Sequence, residues 1–466
     1  MTGYINVKDD YGAKGDGTTD DTTAIQNALD AAETGRGVVI FPSGSYLIGN
    51  TLKLPNKVYM KGVGSTTFGS GSNDITREPS YFLPQVSIYI ILANTSNVDM
   101  IRPKSSDYTL QEAGIENIVL YGNKDNQSSG DGISILDTTV ATRGHVQIKN
   151  VLIYYVKGKG LYGGSNQHEL HFDNVIAYGC GGDGFELKGQ DIKATRIQAG
   201  ANGGVGIKIH EGGAARLYDV DVWSNNIGVE IYDTTNVLFF GLNANLNNTY
   251  GLSIYQNSAS YSPSQIQVFR GTFDSNSQDS DGGYPDIQVS SSSPTFGPAD
   301  LLFHGCLFKG SASSPKPNYA IIDDSYQPAR NIVSDCYINR NNYSSGIINL
   351  NSIYKFRDCY DYTTRRLIGE DTIPYGFESS NYTLLITDCY LTVDTGTWNK
   401  NITLPTLSST QLGKVYYISK SDSSANSVSI VQSGTDAISG TTSINQRFQT
   451  LMIINSGSSW YSIKIS

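Results

Sequence analysis

The first candidates for chemistry are carboxylates that recur at one place in a repeating strand. The pattern is Gly-hydrophobic-x-hydrophobic. It reads Gly132-Ile133-Ser134-Ile135, Gly184-Phe185-Glu186-Leu187, Gly206-Ile207-Lys208-Ile209, Gly228-Val229-Glu230-Ile231 and Gly251-Leu252-Ser253-Ile254, with a weaker copy at Gly160-Leu161. Alternate residues of a strand point to opposite faces. The hydrophobic pair points inward, so Ser134, Tyr162, Glu186, Lys208, Glu230 and Ser253 form an outward row. If the copies stack ~4.8 Å apart, Glu186 and Glu230 are separated by roughly 9–10 Å, with Lys208 between them. Glycoside hydrolysis uses two carboxyl groups. One protonates the leaving oxygen and the other activates water or attacks directly, and an inverting pair sits about 6.5–9.5 Å apart. The alternative is a surface ladder of alternating charge, in which each contact contributes little.

Two further sets deserve the same reading. Ile209-His210-Glu211 aligns with Ile231-Tyr232-Asp233, which would stack Glu211 about one step (~5 Å) from Asp233, with His210 as a titratable neighbour. The alternative is a pair of solvated turn residues, since turns favour Asp. Tyr121, Tyr154, Tyr178 and Trp223 align on a third row, with Asp221 beside Trp223. Exposed aromatics in a line imply a partner. A sugar polymer stacking on the rings is one answer, and a subunit interface, where Tyr and Trp are enriched, is the other. Lys208 and Arg196 are the cations available to acidic sugars. Elimination from a uronic acid, with Lys208, Arg196 or His210 serving, is a rival to hydrolysis. Among the carboxylates, Glu186, Asp221 and Glu230 rank ahead of Glu211 and Asp233.

What positions these rows is a repeat. Successive marker glycines lie 28, 24, 22, 22 and 23 residues apart. A second marker precedes the strands at Asn117-Ile118, Asn150-Val151, Asn174-Val175 and Asp219-Val220. Strand-and-turn repeats of this length make a β-solenoid. Three of the five cysteines follow the same register. Cys306, Cys336 and Cys359 fall on the second marker and read as small inward residues, and Cys389 is a last rung or the first strand of a following domain. Cys180 lies in a tight Gly-rich turn. No CxxC pair occurs, so zinc and redox motifs have no support.

The N-terminal stretch reads strand, turn, helix, strand, strand. Asp20 or Asp21 can cap a helix whose Ile25, Ala28, Leu29 and Ala32 share one face, and Gly35 and Gly37 end it. Such a helix suits a lid over the open end of a strand stack. The pieces Y-G-A-K-G-D-G-T-T-D-D-T (11–22), I-Q-N-A-L-D-A-A (25–32), F-P-S-G-S-Y-L-I (41–48) and K-G-V-G (61–64) resemble the N-terminal part of the pectate-lyase superfamily domain. That domain is found in phage tailspikes and polygalacturonase-like proteins. The resemblance implies an all-β right-handed parallel β-helix and a homotrimeric tail protein that binds and cuts a bacterial surface polysaccharide. It places the protein on a virion tail, acting at the host surface, with another tail protein as a further partner. It assigns no catalytic residue. The Asn-Thr-Asp, Asp-Asp, Gly-His-Gly and Arg-Ile-Lys segments of polygalacturonases are not found in this sequence.

From about residue 380 the text becomes alternating strands with turns at roughly ten-residue spacing, which suits a small β-sandwich or barrel for trimerisation or binding. The expected domains are 1–65 (cap and first turns), 66–375 (rungs) and 376–466 (C-terminal β-domain).

Composition agrees with this reading. Charged residues are 16% of the 466, Gly numbers 49 and Tyr 31, and the net charge is −10. That suits strands and turns rather than helices, and disfavours nucleic acid and anionic membrane as partners. The longest apolar stretch, 86–93, is far short of a span. MTGYINVKDD has no signal-peptide pattern, so surface delivery is expected to use another route. Asp279-Ser280-Asp281-Gly282 departs from a calcium loop, with Gln288 where a Glu belongs, so no metal or other cofactor is expected.

Overall fold

The computed structural model describes residues 4–35, 37–63, 66–68, 84–86, 88–105, 110–135, 144–258, 262–291, 297–325, 331–345, 348–350, 354–357, 359–361, 366–368, 375–378, 381–384, 390–393, 395, 398–410 and 412–465. The chain forms two compact units, Met1–Asn331 with Asn341–Tyr354, and Ile332–Arg340 with Lys355–Ser466. The first unit is a right-handed parallel β-helix.

The cap helix α1 spans Thr22–Gly35 and buries Ile25, Ala28, Leu29 and Ala32 against strands that include Val38–Phe41 and Leu52–Leu54. Asp20 does the capping, accepting from the Thr22 N–H at 2.9 Å. Asp21 instead ties down the preceding turn by accepting from the N–H groups of Lys14 and Gly15 at 2.6 and 2.9 Å. Gly37 N–H closes the helix end on the Ala32 carbonyl.

Both sequence markers have a structural cause. The Gly-hydrophobic-x-hydrophobic strands pair in parallel. Ile133–Ile135, Leu161–Gly163, Phe185–Leu187, Val205–His210, Ile227–Tyr232 and Leu252–Gln256 lie side by side in that order. Ile133, Leu161, Phe185, Ile207, Val229 and Leu252 stack inside, each at most 2% exposed. The glycine ahead of each strand is forced by close approach. A Cβ at Gly160, Gly184 or Gly206 would lie 2.6 Å from the carbonyl oxygen of the next marker glycine, inside van der Waals contact.

The second marker is a corner. Asn117, Asn150, Asn174 and Asp219 have φ between 51° and 59°, the left-handed conformation that Asn and Asp tolerate best among residues with a side chain. Their strands, such as Ala113–Tyr121 and Val146–Tyr154, bend there and pass from one face of the helix to the next. The side chains form a ladder across the rungs. Asn150 Nδ2 donates to Asn117 Oδ1, and Asn174 Nδ2 to Asn150 Oδ1, both at 3.0 Å. Arg196 takes the same corner position with φ 53° and ion-pairs with Asp173. Cys306 and Cys336 follow the corner residues Gly305 and Asp335 and are fully buried, as is Cys359. Cys389 lies outside the described residues.

A second asparagine ladder runs inside the β-helix. Asn202, Asn225, Asn247 and Asn276 are at most 3% exposed, and each amide donates to the next oxygen at 2.9–3.2 Å. Asn276 ends it on Asp286 at 2.7 Å. This stack satisfies the buried polar groups of four consecutive turns.

In the second unit, Tyr375–Glu378, Tyr390–Val393, Val415–Lys420, Thr450–Asn455 and Trp460–Lys464 form one sheet. Tyr382–Thr383, Lys400–Thr403, Val428–Val431 and Ser443–Ile444 form another. Leu391, Ile402, Tyr416, Ile418, Val428, Ile453 and Trp460 belong to one core. Among the described residues no helix is long and apolar enough to cross a membrane.

Candidate active site

The outward row of the marker strands has the expected register. Ser134, Tyr162, Glu186, Lys208, Glu230 and Ser253 are cross-strand neighbours in that order. This face is not the open charged surface that a solvated ladder would be. Ser134, Glu186 and Ser253 are 3%, 8% and 6% exposed, and the side chains of Lys208 and Glu230 are mostly buried. Turn residues Asp131, Lys159 and Asp183 border the row on one side. On the other, two residues further along each strand, come Lys188, His210, Tyr232 and Tyr255.

Glu186 is the hub. Its Oε2 lies 2.5 Å from Lys159 Nζ and its Oε1 3.0 Å from His210 Nε2. Burial alone would raise its pKa, but these two partners outweigh it and bring the carboxyl down to about 2. Glu230 behaves oppositely. Burial raises it above the usual carboxylate range, and Lys208, 3.6 Å away, compensates only in part. Lys208 also holds Asp183 at 2.8 Å. Burial acts to lower the Lys208 pKa, and its carboxylate partners more than reverse that. The face therefore carries two carboxyl groups two rungs apart whose environments push their proton affinities in opposite directions, the arrangement that separates an acid from a base.

An aromatic wall follows. The rings of His210 and Tyr232 stack at 4.4 Å, and those of Tyr232 and Tyr255 at 4.9 Å. Lys159 lies 4.5 Å from the Tyr162 ring centroid. Sequence reasoning placed Tyr162 and His210 but passed over Lys159, Asp183, Lys188, Tyr232 and Tyr255 as site residues. The signal for Lys188, Tyr232 and Tyr255 was available, since strand alternation puts every second residue on this face.

The other candidates separate. Glu211 is about half exposed, pairs with Lys188 at 3.4 Å and lies 3.4 Å from His210 Nδ1. Asp233 is buried, and its Oδ1 accepts the N–H groups of Asn257 and Ser258 at 2.9 and 3.0 Å. The two carboxylates are spent on different partners, and Asp233 holds a loop. Asp221 projects from a different face, where Asn243 Nδ2 donates to it at 3.0 Å. Arg196 is at the corner, paired with Asp173. Neither joins Glu186 and Glu230.

The aromatic row lies with Asp221. Tyr121–Tyr154 and Tyr154–Tyr178 stack at 5.6 and 5.9 Å, and Tyr178–Trp223 sit at 6.3 Å. Gly200 occupies the rung between Tyr178 and Trp223. A Cβ there would come within 2.3 Å of the indole, so the glycine lets Trp223 lean across to Tyr178. A corner turn, 179–184 in that rung, separates this stripe from Glu186. Among the described residues no three His, Cys, Asp or Glu side chains are grouped to hold a metal.

Residues 4–230 match the family described as rhamnogalacturonase A/epimerase, pectate lyase-like. This part of the chain is pectate-lyase-like. The match includes Glu186, Lys208, His210 and Glu230. A stretch of 67 residues is 49% identical to alginate lyase 7 of Azotobacter vinelandii, 13% of this chain and 8% of that protein. Over 292 residues the chain is 26% identical to depolymerase 1, capsule K30/K69-specific, of Klebsiella phage K5-2, covering 62% of this chain and 35% of that protein. Most of each relative thus has no counterpart in the match. Among solved structures, the A-module of mannuronan C-5 epimerase AlgE4 from Azotobacter vinelandii aligns with TM-score 0.53 at 20% identity. It covers 76% of this chain and 97% of the module. Full-length tailspike protein 2 of an Escherichia coli O157:H7 bacteriophage aligns with TM-score 0.51 at 11% identity, covering 100% and 63%. These likenesses extend the pectate-lyase-like fold to phage tailspikes as well as epimerases.

Proposed function

We propose that the protein is a tailspike-like depolymerase that cleaves a bacterial surface polysaccharide at the face carrying Glu186 and Glu230. The observation that carries this is the opposed environment of the two carboxyl groups, Glu186 held ionised by Lys159 and His210, Glu230 pushed toward its protonated form by burial. In this reading Glu230 protonates the leaving glycosidic oxygen, and Glu186, roughly two rungs (~9–10 Å) away, orients and activates the attacking water. Tyr255, the end ring of the His210–Tyr232–Tyr255 stack, offers a ring face to a bound sugar. The phage depolymerase relative, whose name specifies a capsule, supports the substrate class.

A second reading, β-elimination, is favoured by one observation. Lys159 and His210 engage the two oxygens of Glu186, and the His210 ring stands beside it as an alternative base. Incubation of purified bacterial polysaccharides with the protein separates the two. Hydrolysis yields new reducing ends alone, whereas elimination also yields an unsaturated, ultraviolet-absorbing sugar.

The remaining assignments belong to the same proposal. The protein acts as a homotrimer on a virion tail at the host surface, alongside another tail protein. The C-terminal β-domain serves trimerisation or binding. The Tyr154–Tyr178–Trp223 stripe holds polymer or packs against a neighbouring subunit. Binding without shortening, across glycans of a host it recognises, would leave an adhesin.

A further inference from the structure

Among the described residues, the lysines on the carboxylate face already pair with carboxylates. Lys159 is bound to Glu186, Lys188 to Glu211, and Lys208 to both Asp183 and Glu230. His210 lies between Glu186 and Glu211, 3.0 and 3.4 Å from their nearest oxygens. The next basic group in the same row is Arg102, three rungs from Glu186, and its Nε is 2.7 Å from Asp99. Against the three lysines stand five carboxyl groups: Asp131, Asp183, Glu186, Glu211 and Glu230. Burial raises the Asp131 pKa, the backbone N–H and charge of Lys159 lower it, and the charges of Asp99 and Glu186 raise it.

A bound uronic acid would bring one more carboxylate to this half-buried face. Like charges brought together away from water are unfavourable unless a cation answers them. Freeing Lys159 or Lys208 for that duty would strip Glu186 or Asp183 of its partner, and an unpaired buried charge is costly. What the face does present suits an uncharged sugar. Tyr255, at the end of the His210–Tyr232–Tyr255 stack, supplies an apolar ring face, and Ser134, Ser253 and the carboxylate oxygens can exchange hydrogen bonds with hydroxyl groups.

We infer that the sugars on either side of the bond cut at this face are neutral, and that any acidic sugars of the polymer bind outside the cleavage subsites. The inference rests on the reading of Glu186 and Glu230 as the cleavage site. It also selects between the two chemistries. Elimination removes a proton next to a uronate carboxylate whose charge must be neutralised, and among the described residues each lysine of this face already pairs with a carboxylate. Hydrolysis needs only the acid, the base and water. The glycosidic C–O bond breaks, water supplies the hydroxyl of the new reducing end, and its proton returns to the carboxyl pair.

The test uses the full chain and purified capsular polysaccharides whose repeat units contain both a uronic acid and neutral hexoses, each native and with its carboxyl groups chemically reduced to alcohols. Products are sized, and the sugars at both new ends are identified by mass spectrometry and NMR. The expected result is neutral sugars at both ends, no unsaturated sugar, and a cleavage rate that changes less than about threefold on carboxyl reduction. A uronic acid at either new end, an unsaturated product, or a loss of more than about tenfold on reduction overturns the inference while leaving the cleavage reading intact. If no polymer is shortened in either form, both fall together, and the two failures are thereby told apart.

Discussion

Two outer faces of the same β-helix carry a row of side chains in rung register, and they differ in what the rows are made of. The Glu186–Lys208–Glu230 face is polar and mostly buried, and its charged groups hold one another through contacts of 2.5–3.6 Å. The Tyr121–Tyr154–Tyr178–Trp223 face is a run of half-buried rings about 6 Å apart, with Asp221 bonded to Asn243 as its nearby carboxylate. The first can move a proton between groups of different affinity. The second can only hold. Rung stacking produces both, because any residue type repeated at one strand position becomes a row at ~4.8 Å intervals. Chemistry therefore depends on what the row does to proton affinity, not on the presence of a row.

The sharpest way to break this contrast is to neutralise one member of each face. Glu230→Gln, and separately Glu186→Gln, is expected to lower the cleavage rate by about 10²–10⁴-fold, the usual weight of a lost acid or base, with the circular dichroism spectrum unchanged. Trp223→Ala is expected to cost about tenfold or less, and to appear as weaker hold on long polymer rather than as slower chemistry, consistent with about 1–1.5 kcal/mol for a lost aromatic contact. If Trp223→Ala stopped cleavage and Glu230→Gln did not, the two faces would exchange roles.

Smaller effects sharpen the comparison through pH. A general acid must be protonated, so activity is expected to fall as pH rises through the elevated Glu230 pKa. Lys208 holds that value down, and Lys208→Met is expected to move the alkaline limb of kcat toward higher pH, by up to about one unit. A kcat profile measured on Lys208→Met and on Trp223→Phe checks this, because only the first should shift.

The smallest effect is on stability. The Glu186 pKa is depressed to about 2 from 4.5, so its pairing stabilises the fold above pH ~4.5 and that contribution is lost as pH falls toward 2. The Tm advantage of the native protein over Glu186→Gln is expected to shrink over that window. The same comparison for Trp223→Phe should be flat.

Much of this was legible in the residues. The marker glycines of the middle rungs revealed the repeat because the next rung's carbonyl leaves no room there for a Cβ. Alternation then gave the outward row with the correct neighbours. The separation of Glu211 from Asp233 was not legible. Both follow a strand end with φ 56° and 46°, where alternation no longer fixes direction, and one side chain turned inward to the loop while the other met Lys188. Lys159 and Asp183 were missed for the same reason, since turn residues have no periodicity to read. The inner ladder of Asn202, Asn225, Asn247 and Asn276 was hidden because asparagine in a Gly- and Ser-rich turn looks like ordinary turn chemistry. That Asp221 and Arg196 lie apart from Glu186 and Glu230 is a matter of topology. Their strands lie beyond a left-handed corner, and the marker that signalled a repeat did not announce a change of face.

The most direct measurement is the size distribution of purified bacterial surface polysaccharides after incubation with the native protein and with Glu230→Gln, read together with reducing-end and ultraviolet assays. The account predicts shortened chains with new reducing ends and no ultraviolet product for the native protein, and chains left at full length but still bound by Glu230→Gln. Equal shortening by both proteins would contradict the assignment of cleavage to this face.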